Sequence, residues 1–256
     1  MRCWKVIKKC REELEAALRY TKRKEEQVQK FTENIAHQIK TPLAGLSLLL
    51  DVIREEIPQE QTIQNDIAQC FLHVERIKEF IRQLLTISRI EAGKVRFIKE
   101  PVSISGLFEN VRQAVQTDCK LTFDCADKDA QIYADGQWIT EALINLVENA
   151  CRAARAAQQM QEQPEVKIVA VVHADKCVIK VVDNGNGFAD GDTAHLFDRF
   201  ETQGDYASFQ TGIGLNLSRL VVEAHSGTIQ AYNRQDGQGA VFRVVLPQFA
   251  LKQGKI

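Results

Sequence analysis

The chain has 256 residues, of which 45% are hydrophobic and 26% are charged, and its formal net charge is −1. These values are typical of a soluble globular protein with one large or two modest domains. A net charge this close to zero gives no support for nucleic-acid binding.

The charge is unevenly distributed, because residues 2–24 are locally basic. Such a segment is typical either of the solvated face of a helix or of a position on the cytoplasmic side of a membrane. No apolar run approaches the roughly 18 to 20 residues that a transmembrane helix needs, and no signal peptide is visible. The seven cysteines are scattered without a C-x-x-C pair, which favours reduced thiols in a cytoplasmic protein over a zinc site.

The first 92 residues predict two long amphipathic helices joined as a hairpin. Apolar residues recur at steps of three and four from Val28 to Ile53, residues 55–60 interrupt the pattern, and a heptad seam runs from Ile63 to Ser88. One hairpin cannot bury seams this wide, whereas two hairpins can form a four-helix bundle. We therefore expect a homodimer.

Gly93 is expected to end the second helix, and residues 94–102 are interpreted as a linker. Beyond them the pattern alternates between helices and strands. Because several strands are adjacent in sequence while others are separated by helices, we expect an α/β sandwich with one layer of helices on a mixed sheet. The predicted helices are residues 107–115, 138–159 and 211–225, and the predicted strands are residues 121–124, 131–134, 166–172, 178–182, 228–232 and 240–246.

Three motifs in this second half can carry chemistry, and the first is the helical stretch N-L-V-E-N-A-C-R. Asn145 and Asn149 lie one turn apart, so both amides share one helix face. An amide oxygen is a suitable ligand for Mg²⁺, and Arg152 can reach a phosphate from the same side. Taken alone, the stretch is more typical of ordinary surface amides.

The second motif, D-N-G-N-G-F, directly follows a β-branched strand. Asp183 can accept a hydrogen bond from an exocyclic amine such as adenine N6. Gly185 and Gly187 permit backbone conformations and a ligand approach that a Cβ would block. Taken alone, this stretch is typical of a turn.

The third motif, T-G-I-G-L-N-L-S at residues 211–218, opens a helix with glycines. The free N–H groups of a helix N-terminus hold phosphates, although a G-x-G pair alone is weak evidence. Between the second and third motifs lie F-D-R-F at residues 197–200 and a polar segment at residues 201–210. We interpret the polar segment as a lid over a ligand.

In this order and spacing, the motifs resemble the N, G1, F and G2 boxes of the ATP-binding superfamily of histidine kinases, Hsp90, gyrase and MutL. The resemblance covers roughly residues 102–248 and implies a Bergerat-type α/β sandwich that binds ATP and Mg²⁺. It implies that Asn149 is the Mg²⁺ ligand, that Asp183 recognises adenine, and that glycines shape the pocket floor and the lid hinge. The nucleotide-binding residues that it implies are Asn145, Asn149, Arg152, Asp183, Gly185, Gly187, Thr211, Gly212, Gly214 and Leu215.

The stretch H-Q-I-K-T-P-L, which begins at His37, resembles the phosphoacceptor H-box of sensor histidine kinases. It lies on the first helix of the predicted hairpin, where that family has it. A neutral imidazole is a competent nucleophile near neutral pH, and it must be exposed to meet a γ-phosphate bound on another domain. We therefore expect Ile35, Ile39 and Leu43 to pack inward, and Pro42 to bend the helix.

The resemblance thus implies an ATP-dependent protein-histidine kinase of a two-component system. His37 would attack the γ-phosphate of ATP·Mg²⁺, and the phosphoryl group would pass to an aspartate of a response-regulator receiver domain. Thr41, one helical turn beyond, occupies a position that in the family can align water for dephosphorylation of the partner, which implies a phosphatase activity as well.

Three features depart from the family pattern. Gln38 replaces an acidic residue that acts as a base toward the histidine ring, so we expect slower or differently tuned chemistry, although some members carry H-Q-I-K-T-P. Ala153 replaces a tyrosine that lies against the nucleotide. The lid has no Lys or Arg between Arg199 and Arg219. The arginines that could compensate are Arg152, Arg155 and Arg199.

The predicted domains are a signalling or linker helix (1–27), a dimerisation and phosphotransfer domain (28–93), a linker (94–102), a catalytic ATP-binding domain (103–248) and a tail (249–256). The family has a sensory region before the hairpin, so we expect either the cytoplasmic core of a membrane sensor or a chain that takes its signal from a partner. Two alternatives stay open. One is a pseudokinase or dimeric phosphotransfer scaffold, which Gln38 and the lid favour, and the other is a non-kinase ATPase of the same superfamily.

Overall fold

The computed structural model describes residues 39–49, 51–52, 60–127, 129–157, 163–188, 193–199, 212–235 and 237–248. The chain divides into two compact units, Met1–Glu79 and Phe80–Ile256. All described strands belong to the second unit. In the part of the chain that the structure describes, no helix is both long and apolar enough to cross a membrane.

The first unit contains helix α1, formed by residues 39–49 and 51–52, and most of helix α2 (Glu60–Glu91). The two helices approach closely at Gly45, where a Cβ would lie 3.0 Å from Nε2 of His73. Helix α1 includes Pro42, so the proline does not end the helix. The close approach of the two helices is what the predicted hairpin requires.

Large apolar side chains of these two helices remain exposed. Leu43, which the helical pattern places inward, is 54% exposed, and Phe71 is 65% exposed. The expectation that Leu43 packs inward concerns a bundle of two hairpins, and one hairpin offers this side chain no second pair of helices, so it stays a prediction. The exposed apolar residues of α1 and α2 are Leu43, Leu48, Ile67, Phe71, Leu72, Ile81 and Leu85.

Helix α2 ends at Glu91, as the glycine two positions later predicts. Gly93 has a φ of 65°, and its N–H donates to the carbonyl of Ile90 at 2.9 Å. The N–H of Lys94 donates to the carbonyl of Arg89, also at 2.9 Å. A residue in the left-handed region with these two bonds satisfies the last helical carbonyls and turns the chain out of the helix.

The predicted linker, residues 94–102, is irregular only as far as residue 99. Strand β1 (Glu100–Ser103) begins inside it and pairs antiparallel with β3 (Gln131–Ala134). The sequence contains little indication of β1, because the strand has four residues and one of them, Pro101, cannot donate to a ladder.

A five-stranded mixed sheet forms the centre of the second unit. Its strand order is β2-β4-β5-β7-β6, with β2 and β4 parallel and all other neighbours antiparallel. Each predicted strand corresponds to a member of this sheet or to β3. The strands of the sheet are β2 (Lys120–Cys125), β4 (Glu165–Val172), β5 (Lys176–Asp183), β6 (Thr228–Asn233) and β7 (Ala240–Pro247).

The helices of the second unit cover one face of this sheet. On β4, Val166, Ile168 and Ala170 are buried under them, whereas Lys167 and Val171 on the opposite face are exposed. This arrangement confirms the expected single layer of helices on a mixed sheet. The helices are α3 (Ile104–Ala114), α4 (Gly136–Ala156) and α5 (Gly214–Ala224), with a short 3₁₀ helix at Ala194–Phe197.

The starts of α4 and α5 differ from the predicted ones for local reasons. Asp135 caps α4, since its Oδ1 accepts a hydrogen bond from the N–H of Trp138 at 3.2 Å, and the helix therefore begins at Gly136. Helix α5 begins at Gly214 and not at residue 211. Gly212 has a φ of 62°, which no α-helical residue adopts.

Candidate functional site

The predicted amide pair lies on α4, where it is partly buried and internally hydrogen-bonded. Asn145 is buried, and Nδ2 of Asn149 donates to its carbonyl at 2.9 Å. Nη1 of Arg152 donates to Oδ1 of Asn149 at 3.1 Å. Burial lowers the pKa of Arg152, and the charge of Glu148 opposes that shift. The three predicted side chains therefore share one helix face, as their spacing requires.

Asp183 ends β5 as a buried carboxylate that is only partly satisfied. The residue is 1% exposed, and its Oδ1 accepts hydrogen bonds from the N–H groups of Gly185 at 2.8 Å and Ala240 at 3.1 Å. Burial raises the pKa of Asp183, and those two bonds and the charge of Arg234 oppose the rise. Its Oδ2 is buried without a partner. A buried acceptor left unpaired costs about 1–3 kcal/mol, which a ligand N–H could recover.

Gly185 brings the second motif into contact with helix α4. A Cβ at this position would lie 2.8 Å from the carbonyl carbon and 2.9 Å from the carbonyl oxygen of Ala153. Any side chain here would push the loop after β5 away from the helix that carries the amides. The glycine therefore lets the first and second motifs form one site.

Gly214 brings the third motif to the same helix. A Cβ here would lie 3.0 Å from Oδ1 of Asn145, which is tighter than ordinary contact. Leu215 is half-buried in the first turn of α5, and the positive φ of Gly212 turns the chain just before it. Thr211 lies outside the described residues. The N-terminal N–H groups of α5 thus begin beside α4, in a position suited to an anion.

The three arginines expected to compensate for the uncharged lid have different surroundings. Nε of Arg155 donates to Oδ1 of Asp118 at 2.6 Å, and Arg199 forms an ion pair with Glu91. Arg152, by contrast, belongs to the first motif and donates to Oδ1 of Asn149. Of the three, Arg152 has the geometry that best suits a phosphate bound near α4.

Asn233, at the end of β6, is a site residue that the sequence patterns did not indicate. Its Oδ1 accepts from the N–H of Phe188 at 2.6 Å, and its Nδ2 donates to the carbonyl of Phe188 at 2.9 Å. Gly187, which precedes Phe188, has a φ of 72°, and a Cβ on it would lie 2.6 Å from Oδ1 of Asn233. Asn233 therefore fixes the far end of the second motif.

Two side chains of α5 hold the segment that precedes the third motif. Nδ2 of Asn216 donates to the carbonyl of Phe197 at 2.9 Å, and Nη1 of Arg219 lies 3.0 Å from Oδ1 of Asp198. Asn216 is 2% exposed. These contacts place the F-D-R stretch against the first turns of α5, as the order of the motifs requires.

The residues predicted for phosphoacceptor chemistry are described only in part. His37 and Gln38 lie outside the described residues. Thr41 is exposed on α1, one helical turn beyond the position of His37.

No protein-only metal centre is present in the described part of the chain. None of the His, Cys, Asp and Glu residues described there form a group of three or more that could hold a metal ion. Oδ1 of Asn149 is an oxygen atom, the kind of ligand that Mg²⁺ prefers.

Two family models match the chain. Residues 27–93 match the His Kinase A (phospho-acceptor) domain, and residues 134–250 match the family described as histidine kinase-, DNA gyrase B-, and HSP90-like ATPase. The two matches do not overlap and fall on the helical and the sheet-containing parts of the chain.

Curated relatives are similar along most of this chain. The sensor protein KdpD of Escherichia coli K12 is 32% identical over 223 residues, which are 84% of this chain and 24% of KdpD. The sensor protein SphS of Synechococcus elongatus is 29% identical over 238 residues, which are 87% of this chain and 55% of SphS. The chain thus spans between about a quarter and about half of the length of these relatives.

Solved structures share the fold. The histidine kinase AdeS of Acinetobacter baumannii has a TM-score of 0.65 at 24% identity, over 83% of this chain and 98% of AdeS. The histidine kinase ThkA, solved in complex with the response regulator protein TrrA, has a TM-score of 0.67 at 21% identity, over 88% of this chain and 63% of that one.

Proposed function

Because this chain belongs to the sensor histidine kinases of two-component systems, we propose that it phosphorylates its own His37 with ATP and passes the phosphoryl group to a response regulator. Residues 28–93 are the proposed dimerisation and phosphotransfer domain, and residues 103–248 are the proposed ATP-binding domain. The receiving group is an aspartate of the regulator's receiver domain.

The observation that carries the proposal is the unpaired Oδ2 of Asp183. This atom is buried at the end of β5, and Oδ1 of the same carboxylate is already held by the N–H groups of Gly185 and Ala240. The carboxylate is thus fixed in orientation and has one acceptor free. An exocyclic amine such as adenine N6 has a donor of the matching kind, so Asp183 is the proposed adenine-recognising residue.

The phosphate end of the proposed site lies between α4 and the start of α5. Oδ1 of Asn149 is the proposed protein ligand of Mg²⁺, and a bound Mg²⁺ would supply charge neutralisation on the phosphates. That oxygen accepts a hydrogen bond from Nη1 of Arg152. Arg152 is the proposed contact for a phosphate oxygen, because its guanidinium lies on the same helix face and charge-assisted hydrogen bonds to phosphate are strong.

The proposed chemistry at His37 is an in-line displacement. An unprotonated imidazole nitrogen attacks the γ-phosphorus, a P–N bond forms, the bond to the β–γ bridging oxygen breaks, and ADP leaves. The other ring nitrogen then loses its proton. Gln38 can accept a hydrogen bond from that N–H but cannot take the proton, so water is the proposed proton acceptor.

The proposed quaternary state is a homodimer formed through α1 and α2. The exposed Leu43, Leu48 and Phe71 are side chains that a second hairpin would bury. A response-regulator partner is supported by the family and by the ThkA structure, in which a histidine kinase is bound to a response regulator protein. Light scattering that gives the mass of a monomer at micromolar concentration would contradict the dimer.

A phosphatase activity toward the phosphorylated regulator is a second proposed function. The exposed hydroxyl-bearing Thr41, one turn beyond His37, supports it. The test is dephosphorylation of a phosphorylated receiver by wild type and by Thr41→Ala. Autophosphorylation of the variant should be retained while its phosphatase activity is lost.

The kinase proposal is tested by incubating the full chain with γ-labelled ATP and Mg²⁺. Acid-labile, base-stable label should appear on wild type and on His173→Ala, a control at an exposed histidine, and it should be absent from His37→Ala and Asn149→Ala. Label that persists in His37→Ala would overturn the assignment of the phosphoacceptor. Nucleotide binding without any label in wild type would favour a scaffold with a degenerate kinase site.

A further inference from the structure

His225, at the end of α5, is a buried imidazole held at both ring nitrogens. Its Nε2 accepts a hydrogen bond from the backbone N–H of Asp135 at 2.9 Å, and its Nδ1 lies 2.8 Å from the carbonyl of Val221. Since Nε2 is used as an acceptor, the ring proton must be on Nδ1, where it is donated to the carbonyl. This bonding pattern exists only for the neutral ring.

Asp135 is bonded to three elements at once. Its N–H is held by His225 of α5, its Oδ1 caps α4 through the N–H of Trp138, and its Oδ2 accepts from the N–H of Ile98 at 2.8 Å. The residue is 8% exposed. One buried residue therefore joins the start of α4, the end of α5 and the segment 97–99.

Each residue of the segment 97–99 contacts a residue at the start of α4 or at the end of α5. The ring of Phe97 lies 5.5 Å from the rings of both Trp138 and His225, the latter edge to face. Nζ of Lys99 donates to the carbonyl of Ala224 at 3.1 Å, at the C-terminal end of α5, where a cation is favourable. With the Ile98 bond to Asp135, three consecutive residues hold this segment to both helices.

These contacts lie where the chain enters the ATP-binding domain. Residues 97–99 come shortly after the end of α2, α4 carries Asn149 and Arg152, and α5 carries the N–H groups that suit a phosphate. We propose that Phe97, Ile98, Lys99, Asp135 and His225 form an entry junction, which positions the connection from α2 relative to both nucleotide-binding helices and which opens when His225 is protonated.

Protonation opposes the junction through its geometry. A proton on Nε2 turns the acceptor into a donor that faces the N–H of Asp135 across 2.9 Å, so the hydrogen bond becomes a repulsion. The charged groups that face the ring are Lys99, which disfavours the imidazolium, and Asp135, which favours it. Burial is the largest influence and lowers the pKa of His225 below its ordinary value of 6.5. The junction is therefore complete above pH 6.5 and loses stability as the pH falls below that value.

The direct test is backbone hydrogen exchange of the full chain, read at the amides of Ile98 and Asp135 as protection factors. If His225 has its ordinary pKa when the junction is open, wild-type protection should fall by about tenfold between pH 7.5 and pH 5.5. His225→Gln keeps an acceptor that does not titrate, so its protection should not change with pH. His225→Phe removes the acceptor, so its protection should be low at both pH values. Equal wild-type protection at the two pH values, or a pH response that persists in His225→Gln, would overturn the proposal.

A second readout rests on the proposed kinase function. At pH 7.5, His225→Phe should bind adenine nucleotide within about threefold of wild type, because Asp183 and Asn149 are untouched, but should autophosphorylate about tenfold more slowly at saturating ATP. His225→Gln should restore most of the rate. Equal wild-type and His225→Phe rates would contradict a positioning role, whereas absence of label in wild type would bear on the kinase assignment alone, since the exchange experiment needs no catalysis.

Discussion

The side-chain amide of Asn233 makes two hydrogen bonds with the backbone of Phe188, accepting from its N–H at 2.6 Å and donating to its carbonyl at 2.9 Å. An amide side chain presents the same donor and acceptor pair as a neighbouring strand. Asn233 therefore joins the end of β6 to the loop that follows Asp183 and fixes that loop. The adenine end of the proposed site depends on this contact, because the loop includes Gly185.

Asn233→Ala should loosen this loop. The loss of two hydrogen bonds should lower the free energy of unfolding by about 1–3 kcal/mol, and adenine-nucleotide affinity should fall because the loop no longer has one conformation. Gln230→Ala is the matched control, since Gln230 is exposed on the same strand and makes only a weak contact with Arg243 at 3.4 Å. Denaturant unfolding and nucleotide titration check both variants, and equal behaviour of the two would contradict the role of Asn233.

The contact of Asn233 also marks a limit of sequence reasoning. Its partner Phe188 is 45 positions away, and although Phe188 ends the second motif, Asn233 itself stands out neither by type nor by periodicity. The motifs around Asp183 and Asn149 could be predicted because their residues are close in sequence and each has a recognisable chemical use. Strand alternation and helical periodicity likewise predicted every strand of the five-stranded sheet.

Other differences from the predicted elements have local physical causes. Strand β1 was not predicted because Pro101 is untypical of a strand. Helix α5 begins later than predicted because Gly212 adopts a positive φ. Leu43 is exposed in a single chain because an amphipathic pattern indicates which face is buried but not which chain buries it. Burial of that face depends on quaternary context, which a single helical period does not contain.

Asp183→Asn should weaken the binding of adenine nucleotide without lowering the stability of the fold. The amide keeps an oxygen for the N–H groups of Gly185 and Ala240 but presents a donor where the carboxylate has its unpaired Oδ2. Adenine-nucleotide binding should weaken by about tenfold to a hundredfold, the loss expected for a charge-assisted hydrogen bond. Fluorescence titration with a labelled adenine nucleotide measures this.

The stability of Asp183→Asn should not fall at neutral pH. Burial raises the pKa of Asp183, so its ionised form lowers the stability of the fold at pH values above the ordinary 3.8, and a neutral amide removes that effect. The thermal midpoint at pH 7 should equal or exceed that of wild type. Asp175→Asn, at an exposed position, is the control. A large drop in the midpoint would instead give Asp183 a mainly structural role.

The turn between β6 and β7 offers a matched pair of glycines. A Cβ at Gly239 would lie 2.0 Å from the carbonyl oxygen of Asp183, and its φ of 125° is unfavourable for any side chain. A Cβ at Gly237 would lie 3.8 Å from its nearest neighbour, Arg234. Gly239→Ala should destabilise the fold by about 2 kcal/mol or more, with loss of nucleotide binding, whereas Gly237→Ala should be tolerated. Similar urea midpoints for the two would contradict this assignment.

The thiols of the second unit should react unequally. Burial raises the pKa of both Cys151 and Cys177 to about 12, so at pH 8 almost none of either is thiolate. Cys125 is only half-buried. Iodoacetamide at pH 8 should therefore alkylate Cys125 first, and it should modify Cys151 and Cys177 at comparable rates only in denaturant. Peptide mass spectrometry measures this, and equal rates in the folded chain would contradict the burial that positions α4 on the sheet.

Arg152 should contribute to the binding of the phosphates of ATP and not to the binding of adenine. Its Nη1 lies 3.1 Å from Oδ1 of Asn149, on the helix face where the phosphates are proposed to bind. Arg152→Gln should weaken ATP binding by about tenfold, as loss of a charge-assisted contact predicts, while adenosine affinity stays unchanged. Arg155→Gln is the control on the same helix, because Arg155 is held by Asp118 and should leave both affinities unchanged. Calorimetric titration with the two ligands distinguishes the cases. An equal loss for ATP and adenosine would mean that Arg152 acts by holding α4 in place, and the phosphate end of the site would then need another cation.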